Sequence, residues 1–317
     1  MFTRTATTRS PIATSDSRLA RIMVALDGSA FAEHAIDAAA EIARRTGASL
    51  QLVRVHEPLL PGGLPPNAEW LAESVHDTVS YLGSRADELR AAGLEAGTTM
   101  LDGAPVEALC FEAQRSDADL IVMATHGRTG VLRAFLGSVA DGVARHSDVP
   151  VLLVRAPGVP GLAVRPPALG RILVALDGTP QAEAAFPLVA SLATAFDSMV
   201  QLLRVVRPEM SPLLGAPLAP PVLTLDFEAT AKARALAGDY LLDVEDRLRA
   251  AGVERISLQT VTSGAVAREI VDEAKSWKAD LVVLGFHARG ASRLFFGSVT
   301  DSVVRQGNMA VLLVRAP

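Results

Sequence analysis

Short unbroken runs of aliphatic residues alternate along this chain with longer stretches whose apolar positions recur every three to four residues. The first pattern predicts strands and the second predicts helices. IMVAL at 22–26 and LIVMA at 120–124 contain no polar residue. Such runs fit central strands buried on both faces of a parallel sheet. In the first half, strands are predicted over 22–26, 50–55, 94–101, 119–125 and 149–155, and helices over 30–46, 67–92, 106–115 and 138–146. Gly47 and Gly93 stand where helix-ending glycines belong. The alternation predicts an α/β fold, a doubly wound parallel sheet of five strands with helices on both faces.

The second half repeats this order, with strands over 172–176, 200–205, 256–261, 280–285 and 310–315 and helices over 181–195, 227–251, 267–276 and 298–306. The repeat is also literal. RIMVALD at 21–27 returns as RILVALD at 171–177, QLVRV at 51–55 as QLLRV at 201–205, and VLLVRAP at 151–157 again at 311–317. The added length of the second copy lies mostly after Val205, where residues 208–221 carry five prolines. A shorter version occupies 58–66. Both segments follow the second strand, on the side where open parallel sheets take ligands. A lid and a solvated packing loop are both open readings. Residues 158–169, rich in Pro and Gly, read as a linker between domains at 19–157 and 170–317, and residues 1–18 as a disordered tail.

A length of 317 residues, half of them hydrophobic, suits two domains with a real core each. The net charge of -5 argues against a general nucleic-acid binder. It leaves room for a single nucleotide, which needs only a local positive field. A lone cysteine, Cys110, excludes an internal disulfide and a thiolate metal cluster, and its neighbours Leu109 and Phe111 mark a helix core position. Trp70, Tyr81, Tyr240 and Trp277 read as scattered packing residues, and Glu33 and His34 as an exposed part of the first helix. No apolar run approaches the ~18 residues that span a bilayer. A cytoplasmic protein without a membrane partner is expected.

The candidate chemistry follows the fourth strand, where ATHGRTG at 124–130 leads to Gly137, Ser138 and the last helix of the copy. Glycines let backbone approach a ligand closely. The first N–H groups of a helix lack internal partners and, with the helix dipole, favour phosphate. The loop lacks the Gly-Lys-Ser/Thr ending of a Walker A motif, so that mechanism does not apply.

With Gly127, Gly137 and Ser138 in this spacing, and Gly28-Ser29 after the ALD ending of the first strand, the chain resembles a tandem universal stress protein. The resemblance covers nearly everything outside the tail and linker. It implies Rossmann-like units, similar to adenine nucleotide alpha-hydrolases, that bind ATP, ADP or AMP, with Mg²⁺ held through the phosphates. In the first copy it implies a site at Ala25, Leu26 and Asp27, with Val55 offering backbone groups to adenine and Met123 and Ala124 flanking adenine and ribose. His126, Gly127, Arg128, Gly137, Ser138, Val139 and Ala140 would surround the phosphates. The matching positions are Ala175, Leu176, Asp177, Val205, Leu284, Gly285, Ala288, Gly297, Ser298, Val299 and Thr300. In the family the last strand lies at the sheet edge and pairs with its counterpart in a dimer. The apolar last strands here are therefore expected to pair with each other as an internal pseudo-dimer, with a further homodimer left open.

Neither copy matches the pattern fully. Ala124 stands where the family has Gly, at the cost of room for the ligand, and Ala288 replaces the second Gly in a loop one residue shorter. A left-handed backbone at that Ala costs about 1–2 kcal/mol, and about 1.4 kcal/mol is tenfold in affinity. The first copy is expected to hold the better site. Bland readings stand beside these roles. Ser138 and Ser298 are also capping-box candidates, with Asp141 and Asp301 three residues on, and Asp27 and Asp177 compete with Ser29 and Thr179 as caps of the first helix. His126 and His287 lack a second ligand at metal spacing. No general base or nucleophile is evident, so a nucleotide-dependent switch or sensor is expected, with at most slow ATP hydrolysis and an unknown protein partner. The alternative is an interaction protein of the same fold that uses no nucleotide. An adenylating enzyme is the weaker third reading, since the Ser/Gly-rich loop it needs after the first strand is absent.

Overall fold

The computed structural model describes residues 19–56, 68–125, 136–155, 169–213, 222–286 and 297–316. The first copy contains β1 (Arg21–Leu26), α1 (His34–Thr46), β2 (Ser49–His56), α2 (Ala68–Ala91), β3 (Ala96–Asp102), α3 (Pro105–Arg115), β4 (Leu120–Ala124), α4 (Ser138–His146) and β5 (Val151–Val154). The second contains β6 (Arg171–Leu176), α5 (Pro180–Glu183), α6 (Phe186–Phe196), β7 (Met199–Val206), β8 (Met210–Leu213), β9 (Val222–Leu225), α7 (Phe227–Ala250), β10 (Arg255–Thr262), α8 (Val266–Ser276), β11 (Leu281–Phe286), α9 (Ser298–Gln306) and β12 (Ala310–Arg315). Each copy forms the expected five-stranded parallel sheet, ordered β3-β2-β1-β4-β5 and β10-β7-β6-β11-β12. The strand order reverses between β1 and β4, and between β6 and β11. The crevice at that switch point, beyond the carboxyl ends of the strands, is where such sheets take ligands.

Alternation along β1 assigns the two faces. Ile22, Val24 and Leu26 join the core under α1 and α2, while Met23 and Ala25 join the core under α3 and α4. Both cores continue without a break into the second copy. The reason is the seam. β5 and β12 pair antiparallel, with Leu152 opposite Leu312, and make one ten-stranded sheet. Each apolar edge strand is thereby covered by the other, which removes the exposed edge. The seam is clamped from both sides. Arg315 donates to the His146 carbonyl at 3.3 Å, and Arg155 donates to the Val304 carbonyl. Arg145 reaches Asp301 at 3.2 Å. On the opposite face Arg45 of α1 stacks over the Phe196 ring of α6 at 5.1 Å.

Four elements differ from expectation. α1 begins at His34, not at 30, because Ser29 to Glu33 form turns closed by Ala32 N–H to Ser29 O (3.0 Å) and Ala35 N–H to Ala32 O (3.0 Å). The expected helix at 181–195 is two helices, α5 and α6, with Pro187 in the first turn of α6. Proline has no N–H to continue a preceding helix and is tolerated in a first turn. β3 starts at Ala96, since Leu94 closes the preceding helix through its N–H to Leu89 O at 3.0 Å. The proline-rich stretch after Val205 contains an unexpected antiparallel ribbon, β8 with β9, Met210 opposite Leu225. The 1–18 tail, the 58–66 segment and most of the linker lie outside the described residues.

Candidate functional site

A cleft of about 660 Å³ opens at the switch point of the second copy. Its walls bring together Asp177 at the end of β6, Val205 on β7, Leu284 and Gly285 on β11, and Gly297 and Ser298 at the start of α9. Ala175, Leu176, Val299 and Thr300 complete the expected set on these walls. In the first copy Ala25, Leu26, Met123, Ala124 and Ala140 are buried, and Val55 and Val139 pack half-buried on the core. His126, Gly127, Arg128, Ala288 and His287 lie outside the described residues.

The two aspartates hold turns and do not cap helices. Asp27 Oδ1 accepts from the Ser29 N–H at 2.8 Å, and Asp177 Oδ1 from the Thr179 N–H at 2.9 Å. Of the competing residues only Thr179 caps a helix, since α1 has Glu33 as its N-cap with no side-chain cap bond. Thr179 is the N-cap of α5 and accepts from Ala182 N–H, while Ser29 Oγ accepts from Ala32 N–H at 3.2 Å. Gly28 and Gly178 stand between the turn partners at φ +82° and +81°, a conformation that favours glycine. At Gly28 a Cβ would also meet the Arg54 guanidinium at 2.8 Å.

That arginine is the group the sequence reading passed over. Arg54 and its counterpart Arg204 occupy the fourth position of the repeated QLxRV strand. Arg204 lines the cleft and donates to the Leu176 carbonyl at 3.1 Å, so a cation is fixed beside the Asp177 turn. The repeat itself was the signal, because an arginine in a strand buried on both faces needs a reason.

The capping boxes expected at Ser138 and Ser298 are absent. Gly137 and Gly297 are the N-caps of α4 and α9, with no side-chain cap bond, and each serine is already the first helical residue. Asp141 and Asp301 turn instead toward arginines. Arg145 makes two bonds of 2.7 Å to Asp141 and a third to Asp301, while Arg305 meets Asp301 at 2.9 Å. The Arg305 bond, with Arg145 behind it, holds the Asp301 carboxyl below the usual carboxylate range. Each helix start therefore offers uncapped N–H groups, and the nearby carboxylate is balanced by a cation. Val139, Ala140, Val299 and Thr300 lean on or into the core, which leaves their backbone as the part that can meet an anion.

Gly285 answers a different need from ligand room. A Cβ there would lie 2.2 Å from Gln181 O and 2.7 Å from Ala182 Cα. The glycine admits the backbone of α5, which the first copy lacks. Opposite Ala124 the first copy has the turns of 29–33 in place of a helix. Gly297 is the opposite case, since a Cβ there would meet none of the described residues. Cys110 is half-buried on the core, and burial, with Asp148 and Glu107, pushes its thiol up to about 11. Tyr81 and Tyr240 are not scattered. They occupy the same position of two 24-residue helices, and Tyr240 donates to Glu183 at 3.1 Å. Glu33, the counterpart of Glu183, faces Tyr81, and burial with that charge raises the phenol to about 12. Among the described residues no cluster of His, Cys, Asp or Glu suits a metal ion.

Residues 19–155 and 169–315 each match the model of the Universal stress protein family. The chain belongs to that family, as two consecutive units. A universal stress protein of Methanocaldococcus jannaschii is 33% identical over 143 residues, which are 43% of this chain and 82% of that one. A universal stress protein of Mycobacterium tuberculosis is 28% identical over 206 residues, 63% of each chain. A solved universal stress protein of Archaeoglobus fulgidus superposes with a TM-score of 0.69 at 17% identity, over 93% of this chain and 98% of that one. At that identity the likeness speaks for the fold. Among the described residues no helix is long and apolar enough to cross a membrane.

Proposed function

We propose that the protein binds an adenine nucleotide at the carboxyl ends of its strands and acts as a nucleotide-dependent switch or sensor within its stress-protein family. The observation that carries this reading is the cleft in which Asp177, Val205, Gly297 and Ser298 meet at the uncapped start of α9. Apolar Val205 and Leu284 suit a flat base, and the helix start with Arg204 suits phosphates. Mg²⁺ would be held through the phosphates. The first copy repeats the Asp27 turn and the uncapped α4, so we assign it a second site. The ranking that favours the first copy rests on Gly127 against Ala288 and stays part of the proposal.

Mass spectrometry of small molecules released from the purified chain tests the reading. An adenine nucleotide is expected from the native protein, with a lower yield from Gly137→Val or Gly297→Val. Equal yields from native chain and double variant would place the ligand elsewhere. No nucleotide, and no thermal shift with millimolar ATP and Mg²⁺, would favour the interaction protein that uses none.

A further inference from the structure

One cluster near the ligand end of the first sheet stands outside the residues assigned above to the nucleotide. His56, the last residue of β2, is buried at 5% exposure. Its Nε2 lies 3.0 Å from Ser74 Oγ on α2, and its Nδ1 lies 3.4 Å from Asp102 Oδ1 at the end of β3. Parallel pairing sets His56 beside Asp102. A carboxylate at Nδ1 favours the tautomer with the proton on that nitrogen, which leaves the Nε2 lone pair to accept the Ser74 hydroxyl proton. Hydroxyl, imidazole and carboxylate thus stand in the order of a nucleophile, its base and the group that orients the base.

The second copy shows that the arrangement is not a fastening the fold requires. Val206 pairs with Thr262 where His56 pairs with Asp102. α2 and α7 have equal length and the same buried register, Leu82 and Leu89 answering Leu241 and Leu248. Ser74 therefore corresponds to Ala233. The serine, the histidine and the carboxylate do not recur in the second copy, where Ala233, Val206 and Thr262 stand, and α7 packs on its sheet without them. Val206 and Ala233 line the second cleft. By the repeat, His56 and Ser74 stand on the matching wall of the first.

We propose that Ser74, His56 and Asp102 form an acyl-transfer site that hydrolyses carboxylic esters with a small apolar acyl group. Trp70 and Leu71 lie four and three positions before Ser74 on α2, on neighbouring turns, and Leu71 is 36% exposed. They give the acyl group an apolar neighbour. Ser74 Oγ attacks the ester carbonyl carbon as its proton passes to His56 Nε2. The tetrahedral adduct collapses, the carbonyl carbon–alkoxy bond breaks, and Nε2 returns the proton to the leaving alcohol. Water then attacks the acyl-serine, giving one proton to Nε2. Ser74 leaves with that proton, and the carboxylic acid departs. Ester and water become acid and alcohol, with no change of oxidation state. Asp102 acts as a positioning residue through the imidazole.

A fluorophosphonate ester tests this on the full chain. Peptide mass spectrometry is expected to find the adduct on Ser74 and to lose it in Ser74→Ala. His56→Gln keeps a hydrogen-bonding side chain but cannot carry the proton, and is expected to slow labelling on the order of 10²–10⁴-fold. Asp102 has a side chain 75% exposed, so Asp102→Asn leaves the fold intact and is expected to slow labelling as well. Hydrolysis of p-nitrophenyl butyrate should follow the same ranking. A folded native chain that takes no label on Ser74 overturns the proposal. So does equal labelling of the native, His56→Gln and Asp102→Asn chains. Nucleotide release enters none of these readouts, so the two functions stand or fall separately.

Discussion

Gly285 and Gly297 are both glycines of the ligand end, yet they answer to different neighbours. Gly285 faces the backbone of Gln181 and Ala182, where an added methyl has no side chain to push aside. Gly285→Ala is expected to cost about 1–3 kcal/mol by overpacking, read as a lower denaturant midpoint. An unchanged midpoint would show that α5 yields easily. Gly297 has φ −55° and no described residue against it, so Gly297→Val should leave stability within about 0.5 kcal/mol while it fills the start of α9. The sequence named both positions through the family spacing, but it could not separate them. Which glycine serves packing and which serves a ligand depends on what stands across the gap. The same limit hid the Ser74, His56 and Asp102 cluster. Those residues come from a helix and two strands, and only strand pairing and the helix register bring them together.

The strands were legible because burial on both faces leaves a continuous apolar run, a signal that survives without any context. The helix starts were less so. Ser138 with Asp141 reads as a capping box, but the aspartate is drawn away by Arg145, four residues on and in contact with the other copy's Asp301. The seam partner decided the local structure. Arg145 is 10% exposed and holds both aspartates, so Arg145→Ala is expected to destabilise the chain by roughly 2–4 kcal/mol, which thermal unfolding measures. Acid should act at the same place. The Asp301 carboxyl is depressed by Arg305 and Arg145, so its stabilising contribution is present above the ordinary Asp range and is lost as pH falls through its lowered value. Asp301→Asn should flatten this part of the acid unfolding profile, and an identical acid limb in the variant would remove the link from the account. The α5–α6 break was written in Pro187, and the β8–β9 ribbon was concealed by the prolines around it.

The duplication reaches its full meaning at the scale of the whole molecule. One sheet of ten strands and two cores that cross the seam make the copies a single packed body. They are expected to unfold together. Leu312 is fully buried opposite Leu152, and Leu312→Ala should cost about 2–5 kcal/mol while keeping one calorimetric transition at a lower temperature. Two separated transitions would mean that the seam transmits little. Within that body the copies differ in chemistry. The second has α5 against Gly285 and apolar residues at 206 and 233, and the first has His56 and Ser74 in their place. The repeat supplied a frame in which such differences can be read as different work at matching positions.

Isothermal titration calorimetry with ATP and Mg²⁺ tests the central claim most directly, on the native chain and on Gly297→Val. The account predicts two binding events per native chain and loss of one in the variant, with its unfolding temperature unchanged. Equal stoichiometry and affinity in the two chains would contradict it.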